Sequence, residues 1–412
     1  MRKWIKIAFR NILKNRRRSL VTLIAIAMGF ASVSLFQGYV DDVYEGFRIS
    51  VIREDGLGHL TIYKEGWLEN GKRDPDKYMF SKEETLKIVD LLQGDSDVVL
   101  VTPQMHVSGL VSNGKISTIF LAKGLIAKDD ELIRGDNEIA LPRDGELLND
   151  KKYNGIEMAK DLAKYLDLKP GDDAVVMAST LDGQMNAMDI HVSGVYDTGI
   201  ATTNDKFMRF LLPFAQSLYD TDKVDQIVVL LKDWTLTEQA RIRLLSTLSE
   251  NGLQCEMKTW KEIADYYRQV KGMFDMIFTF IFIIVLIIVN MSVINTMGTA
   301  VLERTREIGT LRAMGMKRSG VSILFAIEGA MLGCLGSVMG MIIHIVVWVI
   351  IRITNPTYMP PGISTPVPLI INLIPFFMFL LLIFLIVLSL LAAILPARRA
   401  SKLNVVDALG YV

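Results

Sequence analysis

MIFTFIFIIVLIIVNMSVINTMG, positions 276–298, holds 23 residues and not one charge. A helix crosses roughly 30 Å of hydrocarbon with about 20 such residues, and buried helices of soluble proteins rarely stay apolar for so long. Three more runs share the pattern on either side: 22 residues at 19–40, 31 at 321–351 and 27 at 369–395. Together they make 103 of the 412 residues, nearly charge-free, which excludes a soluble enzyme built on one core. With 51% hydrophobic and 22% charged residues, disorder, a collagen-like chain and a disulfide scaffold are excluded as well. The two cysteines, Cys255 and Cys334, fall in a polar region and inside an apolar run, a placement that does not suggest a pair.

The 45 basic and 45 acidic residues balance, but they are segregated, and the segregation orients the spans. Ahead of the first run stand Arg2, Lys3, Lys6, Arg10, Lys14, Arg16, Arg17 and Arg18 with no acid among them, which marks a cytoplasmic end. Arg304, Arg306, Arg312, Lys317 and Arg318 between runs two and three, and Arg398, Arg399 and Lys402 after run four, read the same way. The connection after run three carries Arg352 among prolines and Gly362, as expected of an outer loop. The first run is longer than the roughly 7–15 residues of a signal-peptide core, so it reads as an uncleaved anchor.

The expected fold is therefore an α-helical integral membrane protein with four transmembrane helices and a large α+β extracytoplasmic domain between helices 1 and 2. Its order is a basic cytoplasmic segment 1–18, span 19–40, periplasmic domain 41–270, span 271–298, cytoplasmic coupling loop 299–320, span 321–351, outer loop 352–368, span 369–395 and cytoplasmic tail 396–412. The domain carries 27 basic against 40 acidic residues, which argues against nucleic acid as a partner and suits solubility.

Within it, 59–63 reads as a strand, and Ser81-Lys-Glu-Glu84 opens a helix with a capping box. The stretches 98–102 and 105–112 look extended, and Asn113-Gly114 supplies a positive-φ pair for a hairpin returning through 115–125. A helix is expected at 155–166, strands at 173–179 and 185–196 around Asp182-Gly183, a short helix at 213–219, a buried strand at 226–231 and a helix at 235–250. The polar stretch 66–76 reads as a mobile loop. Residues 259–271 are polar, helix-compatible and run into the second span, and 41–52 are expected to extend the first in the same way.

A search for chemistry returns no catalytic and no metal site. Gly66-Trp-Leu-Glu-Asn-Gly71-Lys72-Arg73 approaches a phosphate-binding loop, but Arg73 stands where a magnesium-binding Ser or Thr belongs. His59, His106, His191 and His344 lack metal-ligand spacing, and Met177, Met185 and Met188 suit gap-filling better than a soft metal. Neither a nucleophile elbow nor a His-Glu-x-x-His helix occurs.

The informative stretch follows the second span: Glu303-Arg-Thr-Arg-Glu-Ile-Gly-Thr-Leu-Arg-Ala-Met-Gly315. Residues 303–313 predict a short amphipathic helix, with Ile308 and Leu311 to one side, Arg304, Glu307 and Arg312 elsewhere, and Gly315 placed to end it. So short a helix is marginal alone, so it needs a cover: lipid headgroups or a groove on a cytosolic partner.

This stretch resembles the signature loop of the FtsX-like/MacB-like ABC transporter permeases, which include the lipoprotein-releasing subunits. Pro396-Ala-Arg-Arg-Ala-Ser-Lys-Leu-Asn-Val-Val-Asp-Ala-Leu409 is similar to the family's terminal motif, and Gly58-His-Leu-Thr-Ile-Tyr63 to the strand after its first span. The resemblance implies a permease that works by mechanotransmission, with Glu303, Arg304, Arg306, Glu307, Ile308, Gly309, Leu311, Arg312 and Gly315 coupling to a cytosolic ABC ATPase dimer. It also implies that spans one and two act as stalks for the outer domain. With no Walker motif after Met1, ATP and magnesium are expected on a separate ATPase subunit and no cofactor on this chain. A second permease copy or paralogue and membrane lipids are the other expected partners, at a bacterial inner membrane with both termini cytoplasmic. A lipoprotein or a periplasmic adaptor fits the resemblance, though no residue points to either.

In the third span Gly329, Gly333, Gly336 and Gly340 permit close helix approach, more readily within the chain than between chains. Glu328 is costly in a membrane unless partnered, and a basic loop residue such as Arg312 or Lys317 is the expected partner. Three functions follow: a transporter subunit that extracts or exports an amphipathic or hydrophobic substrate such as a lipoprotein, lipid or drug-like compound; an FtsX-like signalling permease that regulates an outer-face partner without cargo; and a receptor-like membrane protein with no ATPase.

Overall fold

The computed structural model describes residues 8–12, 14, 16–135, 142–360 and 362–401. It divides into two compact units, one from residues 1–44, 270–357 and 368–412, the other from 45–269 and 358–367. Arg2, Lys3, Lys6 and the 402–409 part of the terminal motif lie outside the described residues.

The first unit is helical. Its elements are α1 (Arg16–Ile49), α2 (Asp265–Glu303), α3 (Thr305–Ala313), α4 (Arg318–Thr354) and α5 (Pro375–Ser401). All but α3 are long and apolar enough to cross a membrane. At 1.5 Å per residue the 39 residues of α2 reach about 58 Å, nearly twice a hydrocarbon core, so the helix extends well beyond the span expected from 271–298. In this unit α1 and α2 run antiparallel: Arg18 meets Glu303 at 2.5 Å, Thr22 Oγ1 lies 2.5 Å from Thr296 Oγ1, and Tyr44 Oη donates to Asp275 Oδ1 at 2.9 Å. Phe36 stacks on Phe278 between them.

The last helix departs from expectation at both ends, spanning Pro375–Ser401 instead of 369–395. Residues 369–374 stay outside the helix, where the Asn372 N–H donates to the Gly38 carbonyl of α1 at 3.0 Å, and its side chain to Asp41 at 3.0 Å. A Cβ on Gly38 would lie 2.4 Å from the Asn372 carbonyl oxygen, so glycine is required there. Pro375, with no N–H to lose, then opens the helix, which carries on past Pro396.

The second unit is a mixed sheet with helices, α+β as expected. Its strands are β1 (Leu60–Lys64), β2 (Val98–Ser112), β3 (Ser117–Leu125), β4 (Pro142–Gly145), β5 (Gly155–Ala159), β6 (Asp173–Ser179), β7 (Met185–Tyr196), β8 (Phe207–Leu211), β9 (Gln226–Leu231) and β10 (Cys255–Thr259). Their order is β10-β1-β9-β2-β3-β8-β5-β7-β4, with β6 bridging β2 and β7. The pairs β3–β8 and β5–β7 are parallel, and the other paired strands run antiparallel. One hydrophobic core, from Leu60 and Ile62 through Phe120, Phe210 and Phe214 to Leu248, fills this unit.

Several local expectations need correction. The two extended stretches 98–102 and 105–112 form one strand, paired with β9 through Pro103, where the register shifts only near Val98. In the turn after β2 only Gly114 has positive φ, 85°; Asn113 instead accepts from the amides of Lys115 and Ile116 through its side chain. The helix expected at 155–166 is half strand: Gly155–Ala159 is buried throughout as β5, and only Lys160–Tyr165 is helical. The stretch 66–76 holds two helical turns, Trp67–Asn70 and Pro75–Tyr78. Residues 358–367, inside the expected loop 352–368, add to the sheet unit a contact the sequence did not suggest: Ser364 donates to Asp197 Oδ1 at 2.5 Å and the Ala201 amide to the Gly362 carbonyl at 2.9 Å. The capping box at Ser81 and Glu84 forms as read.

His59, 6% exposed, leads into β1, and its Nδ1 accepts the Leu231 N–H at 3.0 Å. Burial, aided by Arg53, pushes its pKa from 6.5 down to about 4. Unfolded chains bind this proton below about pH 6.5 while the fold resists it until about 4, so stability is full above that window and falls by about 3 kcal/mol through it. The Leu231 amide is predicted to lose more than tenfold of its hydrogen-exchange protection, corrected for intrinsic rate, between pH 6.5 and 4.5. A flat profile there contradicts a neutral His59.

Candidate coupling site

The site is built around α3 within the helical unit. Its C-terminus is closed by a Schellman arrangement: the Gly315 N–H donates to Arg312 O at 3.0 Å and the Met316 N–H to Leu311 O at 3.1 Å, with Gly315 at φ 96°. A single break at Arg304 separates α3 from α2, so a direction change costs one residue.

The inner side of α3 is taken up by its own chain. Ile308 is 4% exposed and packs in the apolar cluster with Ile12, Val301, Val321 and Phe325, and Gly309 is buried. Leu311 is half-buried. The inner side of α3 is thus covered by the protein's own helices, a cover the sequence did not suggest.

Beneath α3 lies a charged knot. Arg304 Nη1 donates to Glu328 Oε1 at 3.0 Å and Oε2 at 3.2 Å, and Asn11 Nδ2 donates to Oε1 at 2.5 Å. Glu328 is 3% exposed and Arg304 8%. The partner of Glu328 is therefore Arg304, not the expected Arg312 or Lys317. Arg304 sits one residue before α3 and faces inward, whereas Arg312 donates to the Ser401 carbonyl of α5 at 3.2 Å. Lys317 is exposed.

The outer face is a stripe of exposed residues, Glu303, Arg306, Glu307, Thr310 and Met314, at helical spacing. Glu307 lies 3.6 Å from Arg304 Nε and 3.5 Å from Lys14 Nζ, and Glu303 pairs with Arg18. Of the nine residues expected to couple, Glu303, Arg306, Glu307 and Gly315 face out, while Arg304, Ile308 and Gly309 are buried and Leu311 and Arg312 half-buried. The roles of Asn11, Lys14 and Arg18 escaped the sequence, where Lys14 and Arg18 read as positive-inside charges and Asn11 carried no signal; only their shared neighbourhood with acidic residues of a distant loop and span could have revealed them.

The glycines of α4 divide between two neighbours. A Cβ on Gly329 would meet Ala393 at 2.5 Å and on Gly333 Ser389 at 2.9 Å, both on α5; on Gly336 it would meet Ile26 at 2.7 Å and on Gly340 the Ala27 carbonyl at 2.6 Å, both on α1. The stripe packs within the chain along two seams.

Two family models match: the MacB-like periplasmic core domain over residues 19–246 and the FtsX-like permease C-terminal over residues 278–405. The first alone covers more than half the sequence. The chain belongs to the FtsX-like/MacB-like family of ABC transporter permeases. Relatives include the macrolide export ATP-binding/permease protein MacB of Campylobacter jejuni subsp. jejuni serotype O:2, 28% identical over 427 residues that take in 98% of this chain and 61% of the relative. MacB 1 of Yersinia pestis bv. Antiqua is 25% identical over 99% of this chain and 60% of the relative. The chain thus spans about three fifths of these relatives. Among solved structures, the periplasmic region of MacB from Actinobacillus actinomycetemcomitans aligns with a TM-score of 0.37 and 16% identity, over 53% of this chain and 95% of that one.

Removing one partner of a buried pair leaves an uncompensated charge, typically at about 3–5 kcal/mol, whereas replacing both with apolar groups is often neutral. Arg304→Met is predicted to lower the unfolding temperature of the purified protein in detergent markedly, and Arg304→Met with Glu328→Leu to recover most of it. A double variant no better than the single one counts against the knot. Gly336→Ala, which forces a Cβ against Ile26, is expected to cost about 1–3 kcal/mol, while Gly298→Ala, with nothing within 4 Å, is neutral or stabilising by the same thermal measurement.

Proposed function

We propose that this chain is the permease subunit of an ABC transporter at a bacterial inner membrane, in which the outer stripe of α3 docks on a separate cytosolic ATPase dimer. ATP and magnesium bind that partner. In this reading the sheet unit lies on the periplasmic side, between the first and second spans, and both termini are cytoplasmic. Hydrolysis moves α1 and α2 as stalks, and the sheet unit handles an amphipathic or hydrophobic substrate such as a lipoprotein, lipid or drug-like compound. A second permease copy or paralogue completes the complex, since ATPases of this class act as pairs.

The observation that carries this reading is the division of α3 into two faces. Its inner side is fastened to α4 and α5 through Arg304, Ile308 and Arg312, so a push on the outer side reaches the spans without loss in a soft joint. The outer side keeps exposed charges and the 72% exposed Met314, the mixture expected where a helix lies in a partner's groove. The backbone-close seams of α4 support transmission of force through packed helices better than a pore through this chain.

Arg306→Glu with Thr310→Glu alters the stripe and leaves the packed side intact. The pair is predicted to reduce copurifying ATPase at least tenfold while membrane insertion and thermal stability stay as in the wild type. Undiminished copurification contradicts the docking face. Ile308→Pro is less informative, because Ile308 is buried and its loss damages packing as well as docking.

A further inference from the structure

After Ile49 the first helix widens into a π-turn, Ser50–Glu54, closed by the Asp55 N–H on the Ser50 carbonyl at 2.9 Å and the Gly58 N–H on the Ile52 carbonyl at 3.0 Å. The widening turns three consecutive carbonyls toward the sheet, and each accepts from a different strand. Arg209 Nη2 on β8 donates to Glu54 O at 3.2 Å, Lys123 Nζ on β3 to Asp55 O, and Gln104 Nε2 on β2 to Gly56 O at 3.1 Å. Arg53 Nη1 in turn donates to the Ile133 carbonyl at 3.2 Å.

These donors are themselves held. Glu157, 0% exposed at the centre of β5, lies 3.3 Å from Arg209 Nη1 and accepts the Leu148 N–H at 2.8 Å. Arg134 pairs with Asp130 and reaches toward Glu157 at 3.9 Å, and the Arg209 guanidinium lies 4.3 Å over the Tyr196 ring. Gln226 Nε2 on β9 donates to Gln104 Oε1 at 3.0 Å. Buried charges survive only when paired, and here the buried Arg134 and Arg209 face the buried Asp130 and Glu157. The carbonyls at a helix C-terminus carry partial negative charge, so they are natural acceptors for the Lys123 ammonium and the free arm of the Arg209 guanidinium. A Cβ on Gly58, just beyond, would lie 2.5 Å from Val228 Cγ1 and 2.7 Å from the Val229 carbonyl, so the chain must enter β1 tight against β9.

We infer that Arg209, Lys123 and Gln104 form a socket that grips the end of α1 and passes its movement into the sheet. They are positioning residues for force transfer, and the inference rests on the permease reading above. The helix end is held through backbone carbonyls, so its grip depends on the three donors and not on the helix's own side chains. Because the donors come from β2, β3 and β8, a displacement of the stalk end is spread over the middle of the sheet.

Hydrogen exchange on the full chain with its ATPase partner in nanodiscs, with and without ATP and vanadate, tests this. In the wild type, trapping nucleotide changes exchange both along residues 41–49 and in β2 and β3. Gln104→Leu with Lys123→Met removes two of the three contacts to the turn, along with the Gln226–Gln104 bond, and spares the Arg209–Glu157–Arg134 cluster. The change along 41–49 then persists while that in β2 and β3 falls at least fivefold, with β7 protection unaltered. If the double variant loses protection throughout the sheet, Gln104→Leu alone, which removes its neutral contacts to Gly56 and Gln226, is read by the same criterion, with a fall of at least twofold. An undiminished response in β2 and β3 overturns the socket. Absence of any nucleotide response in the wild type overturns the permease reading, and is told apart by occurring before any substitution.

Discussion

A carboxylate held in the apolar part of a helix bundle must be answered by a cation, and the answer that Arg304 gives to Glu328 fixes the geometry on which the helical unit depends. Arg304 stands at the single break between α2 and α3, so its side chain ties both to α4 at once. Asn11 brings the segment before α1 to the same carboxylate. Four parts of the chain thus meet at one buried group, which gives the hinge a defined direction. Loss of the pairing would remove the tie between α4 and the break before α3.

The same logic recurs in the sheet unit with the roles reversed. There the buried cations Arg134 and Arg209 are held by the carboxylates of Asp130 and Glu157, and the backbone carbonyls of a helix end take a further N–H of Arg209. A joint made from ions and carbonyls resists bending more than one made from apolar contact, because hydrogen bonds are directional and their loss leaves buried groups unsatisfied. In the proposed mechanism a joint of this kind lies at the finish of α1, in the socket.

The four apolar helices were legible because hydrophobic length is a one-dimensional property, and the α+β character of the central region because strand alternation and the Ser81 cap are local. What could not be read is what depends on distant partners. Gly155–Ala159 reads as helix by composition, yet becomes a buried strand because Glu157 finds Arg209, 52 residues away. The start of α5 shifts to Pro375 because Asn372 binds Gly38, a contact across more than 300 residues. At the coupling site, the helix and its Gly315 stop were plain from spacing, whereas the choice of Arg304 over Arg312 or Lys317 as partner for Glu328 turns on which way one residue at a helix break faces.

In this mechanism the outward stripe of α3 stays engaged with a cytosolic motor throughout its cycle. Site-specific crosslinking from Met314 in native membranes, followed through ATP binding and hydrolysis, tests that claim most directly. Crosslinks to an ABC ATPase in every nucleotide state are the predicted result. Crosslinks confined to lipid, or to no protein other than the permease itself, would contradict it.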